Sequence, residues 1–360
     1  MKKILFAFFT ISCFFAACDP KEPIETPATY DPTPYDLKIG DFPTPDLPAD
    51  NQLTVAGVQL GRMLFYEKML SKDGSQACAD CHKQEDAFSD IRQFSIGVEN
   101  LPGKRQAMVV MNLAWHQNGL FWDGRASKVR DQALKPIQDP LEMNETLPNV
   151  VAKLSSDKKY TNQFIRAFGD ATVTPERVGL ALEQFMLSMV SYNSKYDQFL
   201  KGTATLTAEE ERGRVLFFTE FDPFGSSKGM ECFHCHAGHN FTNDEFMNNG
   251  LDTDASMTDE GRKNVTNDPA DRGRFKVPSL RNIALTPPYM HDGRLATLEE
   301  VIDHYDHGVK NSSTVEFLLQ YNLQPGGLQK TAQDKADLVA FLKTLTDYDF
   351  LSNAAFTKPD

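Results

Sequence analysis

The pattern Cys-x-x-Cys-His occurs twice, as Cys78, Cys81 and His82 in "ACADCHKQ" and as Cys232, Cys235 and His236 in "MECFHCHAGH". Two thiols three positions apart, followed at once by an imidazole, put three ligating groups on little more than one turn of chain. A bare Cys-x-x-Cys can be a redox dithiol or half of a zinc site. Pooling all four thiolates on one zinc ion would close a gap of about 150 residues, far longer than such sites use. With the histidine attached, the pattern is the signature of c-type haem. The thiols reach the two porphyrin vinyl groups, and the imidazole falls under the iron. A histidine directly after both pairs favours haem in both places.

The remaining cysteines agree. Lys2 and Lys3 precede the apolar run "ILFAFFTISCFFAAC". A basic start, an apolar core and small residues read as a secretory signal over residues 1–17, and the run is too short for a comfortable membrane span. The residues "FAAC" resemble a bacterial lipoprotein box, with Cys18 as the lipidated first mature residue. Phe15 is unusual at its place in such a box, and an ordinary secreted protein cut nearby is the alternative. Once Cys13 leaves and Cys18 carries lipid, the other four of the six cysteines all lie in the two motifs. None is left for a structural disulfide. The expected location is the periplasmic side of a bacterial membrane, with the lipid anchor as the membrane contact. The net charge of −13 excludes a nucleic-acid partner, which demands a basic surface. A 41% hydrophobic, 24% charged composition excludes general disorder and a multi-span membrane protein.

Residues 18–50 read as a proline-rich tether. Pro20, Pro23, Pro27, Pro32, Pro34, Pro43, Pro45 and Pro48 favour extended geometry and a semi-stiff spacer. The body begins near Asn51. "TVAGVQLGRMLFYEKML" has helical apolar spacing before the first motif, and "LTAEEERGRVLFFTEFD" has it before the second, with Thr207 as N-cap. "FWDGRASKVRDQALKPI" likewise resembles "YMHDGRLATLEEVIDHY". The predicted fold is mostly α. Two cytochrome c-like haem domains, 51–200 and 201–360, are related by internal duplication and carry long loops; the C-terminal tail is able to pack back on the first. "TPERVGLALEQFMLSMVSYNSKYDQFLKG" and "DKADLVAFLKTLTDYDF" are each predicted as an amphipathic helix, their apolar residues core rather than cofactor contacts.

Over roughly residues 50–350 the chain resembles the bacterial diheme cytochrome c peroxidase family and its MauG branch. The resemblance is carried, in order, by "CADCH", "FSIGV", "FWDGRA", "PIQDPLEMN", "CFHCH" and "FKVPSLRNIALTPPYMHDGRLATLEEVIDHY". It implies two covalent haem c groups, the first peroxidatic and the second an electron relay. It implies that Glu142 is the distal carboxylate, moving the peroxide proton between oxygens. Trp122 falls where the family has an inter-haem relay, although a core aromatic is the plainer reading. Gln106, Thr286 and Pro288 match a calcium site, with glutamine where the family usually has asparagine. His291 matches a second-haem pocket residue rather than a ligand.

Two departures matter. Peroxidases that need reductive activation carry a histidine in the loop where this chain has Val98, and no histidine occurs from Lys83 to Trp115. The first haem is therefore expected to stand open, with His116 as the alternative closing ligand. Where the peroxidases place methionine on the second haem, this chain has Tyr305 in "VIDHYDHG", as the MauG branch does. A phenolate stabilises ferric iron. His304 and His307 are the competing ligands. The implied function is reduction of hydrogen peroxide to water, with electrons from a small cytochrome c or cupredoxin. A MauG-like oxidase of a protein or organic substrate, acting through a high-valent diheme state, is the first alternative. A diheme electron-transfer cytochrome is the second. Oligomeric state stays open.

Overall fold

Two glycines decide how the main helices meet. The helix Val55–Phe65 starts at Thr54, whose side chain accepts from Gly57 N at 3.0 Å. Its counterpart Ala208–Phe217 starts at Thr207, the expected cap, which accepts from Glu210 N at 3.3 Å. Each carries a glycine in the frame Gly-Arg-x-Leu-Phe. A Cβ on Gly61 would lie 1.9 Å from Ala181 O, and one on Gly213 would lie 1.9 Å from Asp337 O. Any side chain there would hold the helices apart. So Val55–Phe65 packs directly on Pro175–Ser188, and Ala208–Phe217 on Ala332–Lys343. An apolar cluster grows around each pair. Leu60, Leu64, Phe65, Leu182 and Phe185 lie in the first; Phe217, Leu338, Phe341 and Leu342 lie in the second.

The structure is a computed structural model describing residues 27–225 and 228–359. The expected signal peptide, Cys13 and Cys18 lie outside the described residues. The described chain is mostly helix and loop. Its sheet consists of Phe246–Met247 antiparallel to Phe275–Lys276, with Phe246 opposite Lys276. The C-terminal tail returns to the first cluster: Phe350 and Phe356 belong to it, and Tyr66 Oη donates to Phe356 O at 2.7 Å.

Two kinds of expectation need correction, helix continuity and the tether. The single helix predicted over "TPERVG…FLKG" stops at Ser188 and resumes at Lys195–Leu200. The gap is held open by buried polar groups. Ser191 N donates to Asn112 Oδ1 at 2.7 Å, and Asn112 Nδ2 donates back to Ser191 O at 3.0 Å. One carboxylate oxygen of Asp347 accepts from the amides of Tyr192 and Asn193, each at 2.8 Å. These bonds replace the helix's own, which apolar periodicity does not register. The last helix also breaks, after Lys343, and restarts at Tyr348 under the Asp347 cap.

The tether is the second correction. Residues 27–50 lie against the body rather than standing off it. Phe42 is buried, edge-on to Trp115 at 5.0 Å and beneath the Arg281 guanidinium at 4.7 Å. Tyr35 N donates to Leu53 O at 3.0 Å, and Trp115 Nε1 donates to Pro43 O at 2.9 Å. No helix forms among residues 27–50, and burial of the strip's interspersed aromatic and aliphatic side chains fixes it to the surface.

Candidate functional site

Both motifs close on the same backbone bond, the first in a short helix and the second in a tighter turn. His82 N donates to Cys78 O, and His236 N donates to Cys232 O, each at 2.9 Å. Each turn brings two thiols and one imidazole to one side. The ring orientation is then fixed from behind. His82 Nδ1 lies 2.9 Å from Phe88 O, and His236 Nδ1 lies 3.2 Å from Phe241 O. Both carbonyls are aimed by a left-handed residue, Phe88 at φ 58° and Phe241 at φ 50°. An Nδ1–H spent on a carbonyl leaves Nε2 with its lone pair free, which is how metal-ligating histidines are held. Burial pushes His82 down and His236 down to about 4, so both rings are neutral.

The thiols are unpaired. Burial pushes Cys78 and Cys232 up to about 12 and Cys235 up to about 11. A nucleophilic dithiol needs the opposite shift. Nor do the four sulfurs converge on a zinc site: among the described residues the one tight group of metal-type ligands is Glu220, Glu231 and His234.

A single cavity of about 1250 Å³ is lined by both motifs. Glu142, Trp122, Tyr305, Gln106, Thr286, Pro288 and His291 line it as well. The residues expected to make the site are therefore brought together. Glu142 is mostly buried, close enough to Cys78 and Cys81 for its charge to raise both thiols. Burial, then Asp139, push its carboxyl up to about 7, against an opposing pull from Arg125. A carboxyl near neutrality can both take and give a proton. Ser95, Ile96 and Gly97 line the same cavity, and Val98 N donates to Glu142 O at 2.8 Å. Trp122 is buried; its Nε1 donates to Gln106 O at 2.8 Å.

The Tyr305 segment is built by a widened turn. Thr297 caps Leu298–Asp303, and His304–Gly308 continue as a π-helical turn. Such turns re-aim a side chain within a helix. Of the three competing residues here, Tyr305 alone lines the cavity. His304 Nε2 lies 3.0 Å from Asn249 O, and the mainly exposed His307 faces Asp306. Burial pushes Tyr305 up to about 12, with Cys235 and Cys232 adding and the Asn249 amide, 3.5 Å from the hydroxyl, opposing.

His116 lines the cavity but is held from the second half. Its Nδ1 lies 2.5 Å from Asp244 Oδ1 and its Nε2 lies 3.4 Å from Asn240, both in the loop after the second motif. Gln106 uses its amide nitrogen on Ser89 Oγ and Asp90 O, and no described residue donates to its Oε1. That oxygen suits a hard cation. Burial pushes His291 down to about 4.

Several contributors escaped sequence reading. They include the Phe88 and Phe241 carbonyls, the Asn249 amide, and Lys276, which is buried against Asp244 and donates its backbone N–H to Trp122 O at 2.8 Å. The one available clue was the phenylalanine following each motif histidine, in "HKQEDAF" and "HAGHNF".

The cavity, the paired thiols and the two imidazoles with a free nitrogen fit two covalent haems. Comparison with known proteins agrees. Residues 55–205 match the family described as di-haem cytochrome c peroxidase. The methylamine utilization protein MauG of Methylophilus methylotrophus is 32% identical over 84% of this chain and 87% of its own. The cytochrome c551 peroxidase of Nitrosomonas europaea is 34% identical over 80% of this chain and 79% of its own. A solved MauG-like protein associated with microbial copper homeostasis superposes with a TM-score of 0.80 at 35% identity, covering 90% of this chain and 99% of that one.

Proposed function

The chain belongs to the di-haem cytochrome c peroxidase and MauG family, and from that premise we propose that it is a MauG-type oxidoreductase, using peroxide to oxidise a protein or organic substrate. The observation that carries the proposal is the placement of Tyr305, rather than His304 or His307, in the cavity beside Cys232 and Cys235.

Cys78, Cys81 and His82 would hold the first haem, and Cys232, Cys235, His236 and Tyr305 would hold the second. Bound haem supplies the oxidising chemistry and the iron at which peroxide is cleaved. The chain's own part is acid–base work and positioning. Glu142 accepts the peroxide proton at a carboxylate oxygen and returns it to the departing oxygen, a task suited to a carboxyl near 7. The backbone bond from Val98 to Glu142 sets the carboxylate's segment without placing a histidine over the first haem. Trp122, tied to Gln106 and Lys276, forms the aromatic link between the two halves. Gln106, Thr286 and Pro288 would hold calcium at that link through oxygen. The matched glycine contacts of the two helix pairs support an internal duplication. Export to the periplasm and a lipid on Cys18 complete the proposal; no helix among the described residues is long and apolar enough to cross a membrane.

The peroxidase reading keeps Glu142 and the open first site but gives the electrons to a small redox protein. The similarity to the Nitrosomonas peroxidase favours it as the second reading. A single-turnover experiment separates the two. Ferric protein takes one equivalent of peroxide, then meets either reduced cytochrome c or exported proteins encoded beside it. Covalent oxidation of a protein partner is expected. Turnover with cytochrome c, and no oxidation of any protein partner, would overturn the MauG-type proposal.

A further inference from the structure

The carbonyl that faces the His236 ring is itself held in place. After the second motif, the carbonyls of His239, Asn240 and Phe241 are all engaged by one neighbouring segment. Arg281 Nε donates to His239 O at 2.7 Å, Ser279 Oγ to Asn240 O at 2.6 Å and Leu280 N to Phe241 O at 3.3 Å. Phe241 O is the atom 3.2 Å from His236 Nδ1. Arg281 is 2% exposed, and its two terminal nitrogens donate to the Asp197 carboxylate at 2.8 and 2.7 Å. Two rings lie against its guanidinium. One is Phe241, at 5.7 Å; the other is Phe42 of the N-terminal strip, at 4.7 Å. Phe42 also meets the His239 ring, with centroids 5.4 Å apart.

The first motif is supported differently. Phe88 O faces His82 Nδ1 and accepts from Val110 N, as Phe241 O faces His236 Nδ1 and accepts from Leu280 N. Two residues beyond each donor stands a left-handed asparagine, Asn112 at φ 53° and Asn282 at φ 59°, and a short helical turn follows each. The residue in between is Met111 in the first half and Arg281 in the second. Met111 is buried but carries no charge for a ring of the strip to cover.

A buried ion pair depends on its geometry and on the exclusion of water, and it loses heavily when either goes. Phe42 supplies an aromatic face to the cation and closes the pair from outside. We propose that Phe42 is a positioning residue for the second haem: by covering Arg281 it holds the carbonyls of residues 239–241, and so the His236 imidazole, in one orientation. An imidazole whose N–H is spent on a fixed carbonyl is a stronger donor through its other nitrogen, which favours ferric iron. The N-terminal strip is thus part of the second haem's support. The inference rests on the family's two-haem content and not on whether the substrate is a protein or a peroxidase donor.

The experiment compares haem-loaded wild type, Phe42→Ala and Phe42→Leu, each checked by mass for two haems. The readouts are the potential of each haem and the ferric electron-spin-resonance signal of the second, whose g-values follow the orientation of the axial imidazole. Phe42→Ala is expected to raise the second potential and move those g-values, with the first haem unchanged. Phe42→Leu, which keeps an apolar cover, is expected to restore both toward wild type. An unmoved second potential and unmoved g-values in Phe42→Ala would overturn the proposal, as would equal shifts at both haems, the mark of general loosening. If the alanine variant fails to take up haem, Arg281→Lys decides. Lysine keeps the buried charge but cannot bond Asp197 through two nitrogens and His239 through a third. A shifted second haem supports the proposal, and an unmoved one overturns it.

Discussion

The backbone amide of Val98 donates to the carbonyl of Glu142 at 2.8 Å, joining the loop that lacks a closing histidine to the carboxylate expected to work on peroxide. Gly97 makes that approach, since a Cβ there would lie 2.2 Å from Leu141 O. The loop is thereby fixed against the Glu142 segment in a form that presents Ser95, Ile96 and Gly97 to the cavity.

The ferric protein is expected to react with peroxide as purified. Rapid mixing without reductant should show spectral change at the first haem within the mixing series. His116→Ala should leave that reaction unaltered, because His116 is held by Asp244 and Asn240. A reaction that appears only in the alanine variant would identify His116 as a closing ligand.

Glu142→Gln is expected to keep both haems and slow peroxide cleavage about 10²–10⁴-fold. In the wild type the rate should rise with pH through about 7, as the raised carboxyl ionises and becomes a base. The glutamine variant should lack that limb. The stability consequence has the opposite sense. A carboxyl whose folded pKa lies above its usual 4.5 binds its proton more tightly when folded. Wild type should therefore lose stability relative to Glu142→Gln as pH climbs from about 4.5 to about 7. Thermal melts of the pair across that window check the sign.

Gly61→Ala and Gly213→Ala should each destabilise the protein by about 1–3 kcal/mol or more, since the added carbon meets a backbone oxygen of the partner helix. Denaturant titration measures this, and a neutral Gly213→Ala would show that the pair has room to slide.

Much of this was open to sequence reasoning because it is local. The Thr207 cap, the two haem motifs and the Gly-Arg-x-Leu-Phe frames are set by residues within a turn or two of one another. What stayed hidden depends on distant partners. The break after Ser188 is dictated by Asn112 and Asp347, and the docking of residues 27–50 by Trp115 and Arg281. Proline content argues for extension, but it does not distinguish a free spacer from a strip that buries Phe42. Tyr305 was named over His304 and His307 by the resemblance alone; the π-helical turn that carries it is announced by no periodicity.

Ligation of the second haem by Tyr305 is the central claim, and resonance Raman spectroscopy of the ferric wild type beside Tyr305→Met tests it most directly. Excitation into the charge-transfer region should give phenolate modes from the wild type and none from the variant, whose second haem should also titrate at a higher potential, as thioether ligation favours ferrous iron. A wild-type spectrum of bis-histidine character, unchanged in Tyr305→Met, would contradict the claim and assign the second iron to another ligand.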